Sequence, residues 1–436
     1  MTKRSLPQIE LKLEKIVGGG QALGTHADGR KVFVWGALPD ETVTVQLTKK
    51  KSNYAEGSIV EVLSASPDRI EPKDPVSYLS TSPWQIMKFD VEQRYKAALI
   101  EEAFELHDVV LPNPIEVYTD GCEFRYRNKV EFSWYGQTNQ ETNIESLDLA
   151  FFRRGSKGKV VVDDSHIMPE AIITLAHEIR DFLQDKQISA RQLKTLLIRS
   201  DAKGNCVWQL YVKDEDFVGI FESEAKQFKA QGGEVIYSNP KSPASVITKR
   251  LLSVGDVVLS DELLGVPFRY ATEGFFQINL PVYEQALNDM QKWIPEGKPV
   301  VDMYSGVGSI GLTIGGDGVT LVELNEHAVR EMERNIAELG KKATPVLAAS
   351  EQALEYIQGD KTIIVDPPRA GLHEDVVYRL LDEKPERIIY LSCNPVTQAR
   401  DVARLGEVYG IRAHQGYNFF PRTPHIENLV VLDLKK

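Results

Sequence analysis

Val300-Val301-Asp302-Met303-Tyr304-Ser305-Gly306-Val307-Gly308-Ser309 is a strand running into a glycine-containing turn. The apolar run Val300–Met303 suits a buried strand. Gly306 and Gly308 then let the backbone approach a bound group closely and tolerate positive φ. The next strand, Val319–Glu323, ends in a carboxylate close to the ~20-residue spacing at which an acidic side chain takes ribose hydroxyls. Ile363–Val365, Ile388–Ser392 and Leu429–Leu434 read as further strands, with helices over Glu326–Leu339 and Asp375–Leu381. Such alternation predicts a mostly parallel, doubly wound α/β sheet in a domain spanning 269–436. Loop and acidic strand end together mark an adenosine site. Gly306, Gly308 and Gly311 also complete a G-x-G-x-x-G, so this segment alone fits a nicotinamide dinucleotide as well as S-adenosylmethionine.

Working outward, residues 8–65 read as all-β. Short β-rich runs (Lys31–Trp35, Thr42–Leu47, Gly57–Leu63) are separated by turn signals such as Gly18-Gly19-Gly20 and Pro39-Asp40. So many short strands in so short a segment predict a small closed barrel over 1–66. Ser66–Pro75 reads as a linker. Residues 67–268 then form a mixed α+β central domain. In it, Val91–Leu106 has helical spacing, and the helix is expected to pack on the C-terminal domain. Pro169–Leu183 is a second helix, and Lys129–Trp134, Val207–Val212, Glu234–Ser238 and Asp256–Leu259 are strands.

The chemistry gathers at later strand ends. Ile364-Val365-Asp366-Pro367-Pro368-Arg369 places a carboxylate before a loop stiffened by two prolines. Leu391-Ser392-Cys393-Asn394-Pro395 places a thiol at a strand tip before a helix N-terminus, where a thiolate is stabilised. Phe420-Pro421-Arg422-Thr423-Pro424-His425-Ile426-Glu427 brings a histidine and a glutamate to the start of the last strand.

Composition bounds the rest. With 42% hydrophobic and 26% charged residues, the 436-residue chain is long enough for two to three domains of ~100–200 residues each. No leader-like segment and no run near the ~20 apolar residues of a membrane span is read, so a soluble, cytoplasmic protein is expected, and by default a monomer. The three cysteines, Cys122, Cys206 and Cys393, lie too far apart for a disulfide framework or a metal cluster. A net charge of −12 argues against nonspecific nucleic-acid binding. Local basic clusters nonetheless exist at Lys49-Lys50-Lys51, at Arg125, Arg127 and Lys129, and at Arg153-Arg154 with Lys157 and Lys159. Among them Trp134, Tyr135, Phe151 and Phe152 are candidates for stacking on bases, although most are expected in the core.

Taken together, five pieces resemble the RNA uracil-C5 methyltransferase family: Phe276-Gln277-Ile278-Asn279; Asp302 with Gly306-x-Gly308; Asp366-Pro367-Pro368-Arg369-Ala370-Gly371-Leu372; Ser392-Cys393-Asn394-Pro395; and Thr423-x-His425-x-Glu427. Gly19-Gly20-Gln21-Ala22-Leu23-Gly24 and Gly36-Ala37-Leu38-Pro39-Asp40-Glu41 resemble the TRAM domain, an OB-like RNA-binding barrel. The resemblance implies a Rossmann-like class I methyltransferase domain at 269–436 and S-adenosylmethionine as cofactor. It implies Cys393 as the nucleophile that adds to uracil carbon 6 and Glu427 as the base that takes the carbon 5 proton. It also implies Gln277, Tyr304, Gly306, Ser309, Glu323 and Asp366 as residues of the cofactor and base pocket. The target uridine must leave its stack to expose the ring face. The barrel, commoner among ribosomal-RNA members, points to 23S rRNA ahead of the T-loop uridine of tRNA.

Two departures stand out. Many relatives hold an iron–sulfur cluster where this chain reads Ser77-Tyr78-Leu79-Ser80-Thr81-Ser82-Pro83-Trp84-Gln85-Ile86-Met87, without one cysteine. A cluster takes about four thiolates, so none is expected, and Tyr78, Trp84 and Met87 are expected to fill the space as an apolar plug. The family's cofactor-loop asparagine is here Ser309. Two other readings compete. A methyltransferase acting on exocyclic nitrogen needs no thiol and carries an aromatic where Arg369 stands. A non-catalytic RNA-binding or folding factor would not need cysteine, glutamate and cofactor loop together.

Overall fold

The computed structural model describes residues 6–141, 145–154, 158–221 and 227–435, so that Lys157 lies outside the described residues. The chain forms two compact units. One comprises the residues up to Glu92, Cys122–Leu259 and Pro421–Pro424; the other comprises Gln93–Gly121, Ser260–Phe420 and His425–Lys436.

The first unit opens with the five-stranded closed barrel: Gln8–Ile16, Ala22–Thr25, Lys31–Trp35, Thr42–Lys50 and Tyr54–Ser64. Alternation drives closure, since Leu11, Leu13, Val32, Val34, Val43, Val45 and Leu47 are buried while their neighbours face outward. The strand Lys31–Trp35 runs parallel to Tyr54–Ser64, which removes the last free edge. The stretch read as a linker is instead packed. Glu41, fully buried, accepts from Leu38 N (2.8 Å) and from Arg69 Nη2 (2.7 Å), and Arg69 also donates to Gly36 O (2.9 Å). A buried charge needs such a partner, and the pairing of residues 28 positions apart is not visible in local composition.

The same unit holds a seven-stranded sheet in the order Lys249–Gly255, Gly232–Tyr237, Cys206–Val212, Leu193–Ser200, Lys129–Tyr135, Asp148–Phe152 and Lys159–Val161. The helix Glu170–Asp185 offers Ile172, Leu175, Ala176, Ile179 and Leu183 to it, and Trp208 joins Phe182 through the rings of Phe221 and Phe228. Several basic residues noted in the sequence serve this unit's own structure. Arg154 stacks over Trp35 (4.3 Å) and donates to Leu79 O (2.8 Å), while Arg125 donates to Met168 O (2.9 Å). Trp134 is buried and Phe151 stacks on Phe132, whereas Phe152 is exposed.

In the segment without cysteines, Trp84 and Met87 are buried but Tyr78 is only half-buried. Between them lies a polar network rather than an apolar plug alone. Asp74 accepts from Gln85 Nε2 (2.7 Å) and Ser165 Oγ (3.2 Å) and pairs with His166 Nδ1 (2.6 Å). Buried Gln85 dictates this, because its amide must be satisfied away from water.

The second unit is built on an eight-stranded sheet: Ala343–Leu347, Val319–Glu323, Val300–Met303, Thr362–Val365, Arg387–Ser392, Glu427–Leu434, Tyr409–Tyr417 and Val117–Tyr118. The first five strands are parallel, and Glu427–Leu434 inserts antiparallel to both its neighbours. The helix Phe89–Glu105 runs into this unit, where Lys96 is fully buried and donates to Phe420 O (3.1 Å). Among the described residues no helix is long and apolar enough to cross a membrane.

Candidate active site

Strand register lays out the site. Met303 pairs with both Val322 and Val365, so the next residues, Glu323, Tyr304 and Asp366, sit side by side at three adjacent strand ends. On the other side, Ser392 pairs antiparallel with Asn428, which sets Cys393 against Glu427. Parallel strands followed by helices thus place four functional residue types along one carboxyl edge, where ligands of open α/β sheets bind.

At the cofactor end, Glu323 accepts from Gly306 N (2.9 Å) and Asn325 N (2.7 Å), which aims its carboxylate back over the glycine loop. Gly306 (φ 56°) and Gly308 (φ 84°) both use the left-handed region. A Cβ on Gly306 would meet nothing within 4 Å, so open space faces that turn. Tyr304 also has positive φ (65°), a conformation tolerated in a non-glycine residue only where the surroundings impose it. Its hydroxyl accepts from Ser350 Oγ (2.8 Å). Asp302 is fully buried; Oδ2 accepts from Gly311 N (2.8 Å), while Oδ1 has no partner among the described residues. Burial pushes its carboxyl from 3.8 up to about 8, with Asp366 and Glu323 adding to the effect. A cradle of two glycines, an acidic strand end and a buried acceptor with one oxygen unused fits a nucleoside-bearing cofactor. Ser309 closes the loop, its hydroxyl 2.9 Å from that of Tyr283.

Gln277 is buried; at the reacting end, Asp366 is half-buried, and burial raises its carboxyl above the usual carboxylate range. Glu427 is buried, and its carboxyl is raised well above that range by burial first and by Asp366 second, with Arg369 opposing. Cys393 is half-buried, and its thiol is pushed up to about 11 by burial, then by Glu427 and Asp366. Sequence position alone suggested a stabilised thiolate. The structure differs, because burial of the thiol, with Glu427 and Asp366 adding to it, outweighs the following helix N-terminus. Arg369 supplies the compensating cation, which opposes this rise. Asn394 Nδ2 (2.8 Å) and Thr397 Oγ1 (3.1 Å) both donate to Arg369 O, fixing its backbone, and its Nη2 lies 3.3 Å from His425 Nδ1.

All eight residues singled out in the sequence lie in this unit, seven of them along the same sheet edge or its adjoining loops, and Gln277 in the segment before the helix Leu280–Gln291. Four others were missed as site residues: Asp302, Arg369, Tyr283 and Ser350. Asp302 and Arg369 stood inside quoted motifs. Tyr283 and Ser350 belong to no motif and are legible only from packing.

Comparison with known proteins bears on the family and the fold. Residues 352–435 match the model of the tRNA (uracil-5-)-methyltransferase family, and residues 9–60 match the TRAM domain. An uncharacterized RNA methyltransferase of Lactobacillus johnsonii is 30% identical over 445 residues, covering 95% of this chain and 96% of its own length. One of Lactiplantibacillus plantarum is 28% identical over 450 residues, covering 95% and 94%. In fold, the chain is similar to the Pyrococcus abyssi tRNA (uracil-54, C5)-methyltransferase solved with S-adenosyl-L-homocysteine. The TM-score is 0.79 at 22% identity, over 97% of this chain and 100% of that one.

Proposed function

The chain belongs to the S-adenosylmethionine-dependent RNA (uracil-C5-)-methyltransferases with an N-terminal TRAM domain, and from that premise we propose that Cys393 works as a covalent nucleophile on the target uridine. The observation that carries this reading is the pairing of Cys393 with Glu427 across the Ser392–Asn428 register, beside Asp366 and Arg369.

The chemistry requires such a set. Carbon 5 of uracil is a weak nucleophile. Cys393 first gives its proton to solvent; the thiolate sulfur then bonds to carbon 6, and the ring's π electrons move onto carbon 5 and the carbon 4 oxygen, so that carbon 5 can attack an electrophile. S-adenosylmethionine, when bound, supplies that electrophile as a sulfonium methyl. Gly306, Ser309, Glu323 and Tyr304 would hold it, with Asp302 beneath the loop. Glu427 in its carboxylate form then takes the carbon 5 proton. The electrons of that C–H bond re-form the ring double bond, and the carbon 6–sulfur bond breaks to release the thiolate. Arg369 stabilises the thiolate on both sides of the cycle, and Gln277 and Asp366 supply polar contacts in the pocket shared by the cofactor and the flipped base.

For the RNA, we propose ribosomal RNA of the large subunit, on the strength of the barrel. A tRNA uridine is the second reading, favoured by the description of the matched family model. The chain's own cysteines, three in all, do not supply a cluster's ligands, and no step is assigned to iron.

Trapping tests the covalent step. RNA containing 5-fluorouridine, incubated with protein and S-adenosylmethionine, should give a denaturation-resistant protein–RNA band, since fluorine cannot leave as the proton does. The band should vanish in Cys393→Ala. A methylated product without any trapped band would contradict the nucleophile assignment.

A further inference from the structure

Tyr283 sits in the first turn of the helix Leu280–Gln291, 1% exposed. Its hydroxyl lies 2.9 Å from Ser309 Oγ, and its ring meets Phe419 edge-on at 5.8 Å. One turn earlier, Asn279 Nδ2 donates to Phe419 O (3.2 Å), so ring and backbone of Phe419 are both held from this helix. Ser309 is itself fixed, its carbonyl accepting from Thr313 Oγ1 (2.6 Å). Burial raises the Tyr283 ionisation well above its ordinary 10, and Asp366, Asp302 and Glu427 add to it. The phenol therefore stays protonated, and either hydroxyl of the pair can donate to the other.

The strand order says which part of a ligand meets this pair. Along the sheet edge the sequence of acids is Glu323, Asp302, Asp366 and then Glu427. Ser309, the partner of Tyr283, follows the strand that carries Asp302, which lies between the strand ending at Glu323 and the strand before Asp366. A cofactor whose ribose lies at Glu323 passes Ser309 with the portion beyond the ribose on its way to the base pocket. We propose that the Tyr283–Ser309 hydroxyl pair positions the amino-acid end of S-adenosylmethionine. Tyr283 donates to Ser309 Oγ and thereby leaves the serine proton for the cofactor's carboxylate. Tyr283 is a positioning residue here, and Ser309 the group that makes the contact. The inference rests on the methyltransferase reading of the site.

Calorimetric titration separates the possibilities, using S-adenosylhomocysteine and 5′-methylthioadenosine, which lacks the amino-acid end. Tyr283→Phe and Ser309→Ala should each weaken S-adenosylhomocysteine by about five- to twentyfold, the loss of one hydrogen bond. The double variant should be no weaker than either single one, because both changes break one device. Affinity for 5′-methylthioadenosine should stay at the wild-type value. Equal weakening of both ligands would mean a merely structural hydroxyl, and unchanged S-adenosylhomocysteine affinity would remove the contact; either result overturns the proposal. Wild-type protein that binds neither ligand would overturn the methyltransferase reading as well.

Discussion

Burial and two carboxylates push the Cys393 thiol up to about 11, so at neutral pH the free protein holds a thiol at this position. Below that value the thiolate fraction rises tenfold per pH unit, and kcat/KM for methyl transfer should climb with pH across the range 6 to 8, as a pH–rate profile would reveal. A flat profile would mean that the cysteine does not need to ionise. Arg369 opposes the rise. Arg369→Gln should therefore lower kcat/KM by about two orders of magnitude, the scale of losing a charge-stabilising donor, while S-adenosylhomocysteine affinity stays within about twofold. Loss of cofactor binding in that variant would place the arginine in the wrong half of the site.

Among the elements, the strand Val300–Met303 carries the clearest link from sequence to site. Its apolar run, the glycines after it and the acid ending Val319–Glu323 were legible because a buried parallel strand and a βα turn tolerate few residue types. Helix Glu326–Leu339 was readable to the residue, since Asn325 caps it and Gly340 ends it in the left-handed region. The antiparallel insertion of Glu427–Leu434 was not legible: it depends on which strand finds an edge, and periodicity carries no register. The cost of Asp302 was hidden as well, since its buried and half-satisfied carboxylate shows only in packing. Its folded value of about 8 against an ordinary 3.8 means the folded state binds the extra proton between those values. Stability then falls as pH rises through that window. Asp302→Asn should flatten the dependence of denaturant-unfolding free energy between pH 5 and 8, compared with wild type without cofactor. An unchanged slope would assign the pH dependence to other groups.

At the scale of the whole molecule, the barrel supplies an RNA-binding module and the second unit supplies the chemistry. The segment Ser77–Met87 is organised by Asp74, Gln85 and His166 with no thiolate in it. Protein purified anaerobically should accordingly be colourless and carry less than about 0.1 iron per chain by elemental analysis, where a cluster would need several thiolate-bound irons. A brown sample with stoichiometric iron would contradict that account. The central claim is that this chain methylates uridine carbon 5 in RNA through Cys393. It is tested most directly by transfer of labelled methyl from S-adenosylmethionine to unmodified total RNA, wild type beside Cys393→Ala, with the product mapped. The account predicts 5-methyluridine at a discrete site in ribosomal RNA with wild type and none with the variant. Label in another nucleoside, or 5-methyluridine made equally well by Cys393→Ala, would contradict it.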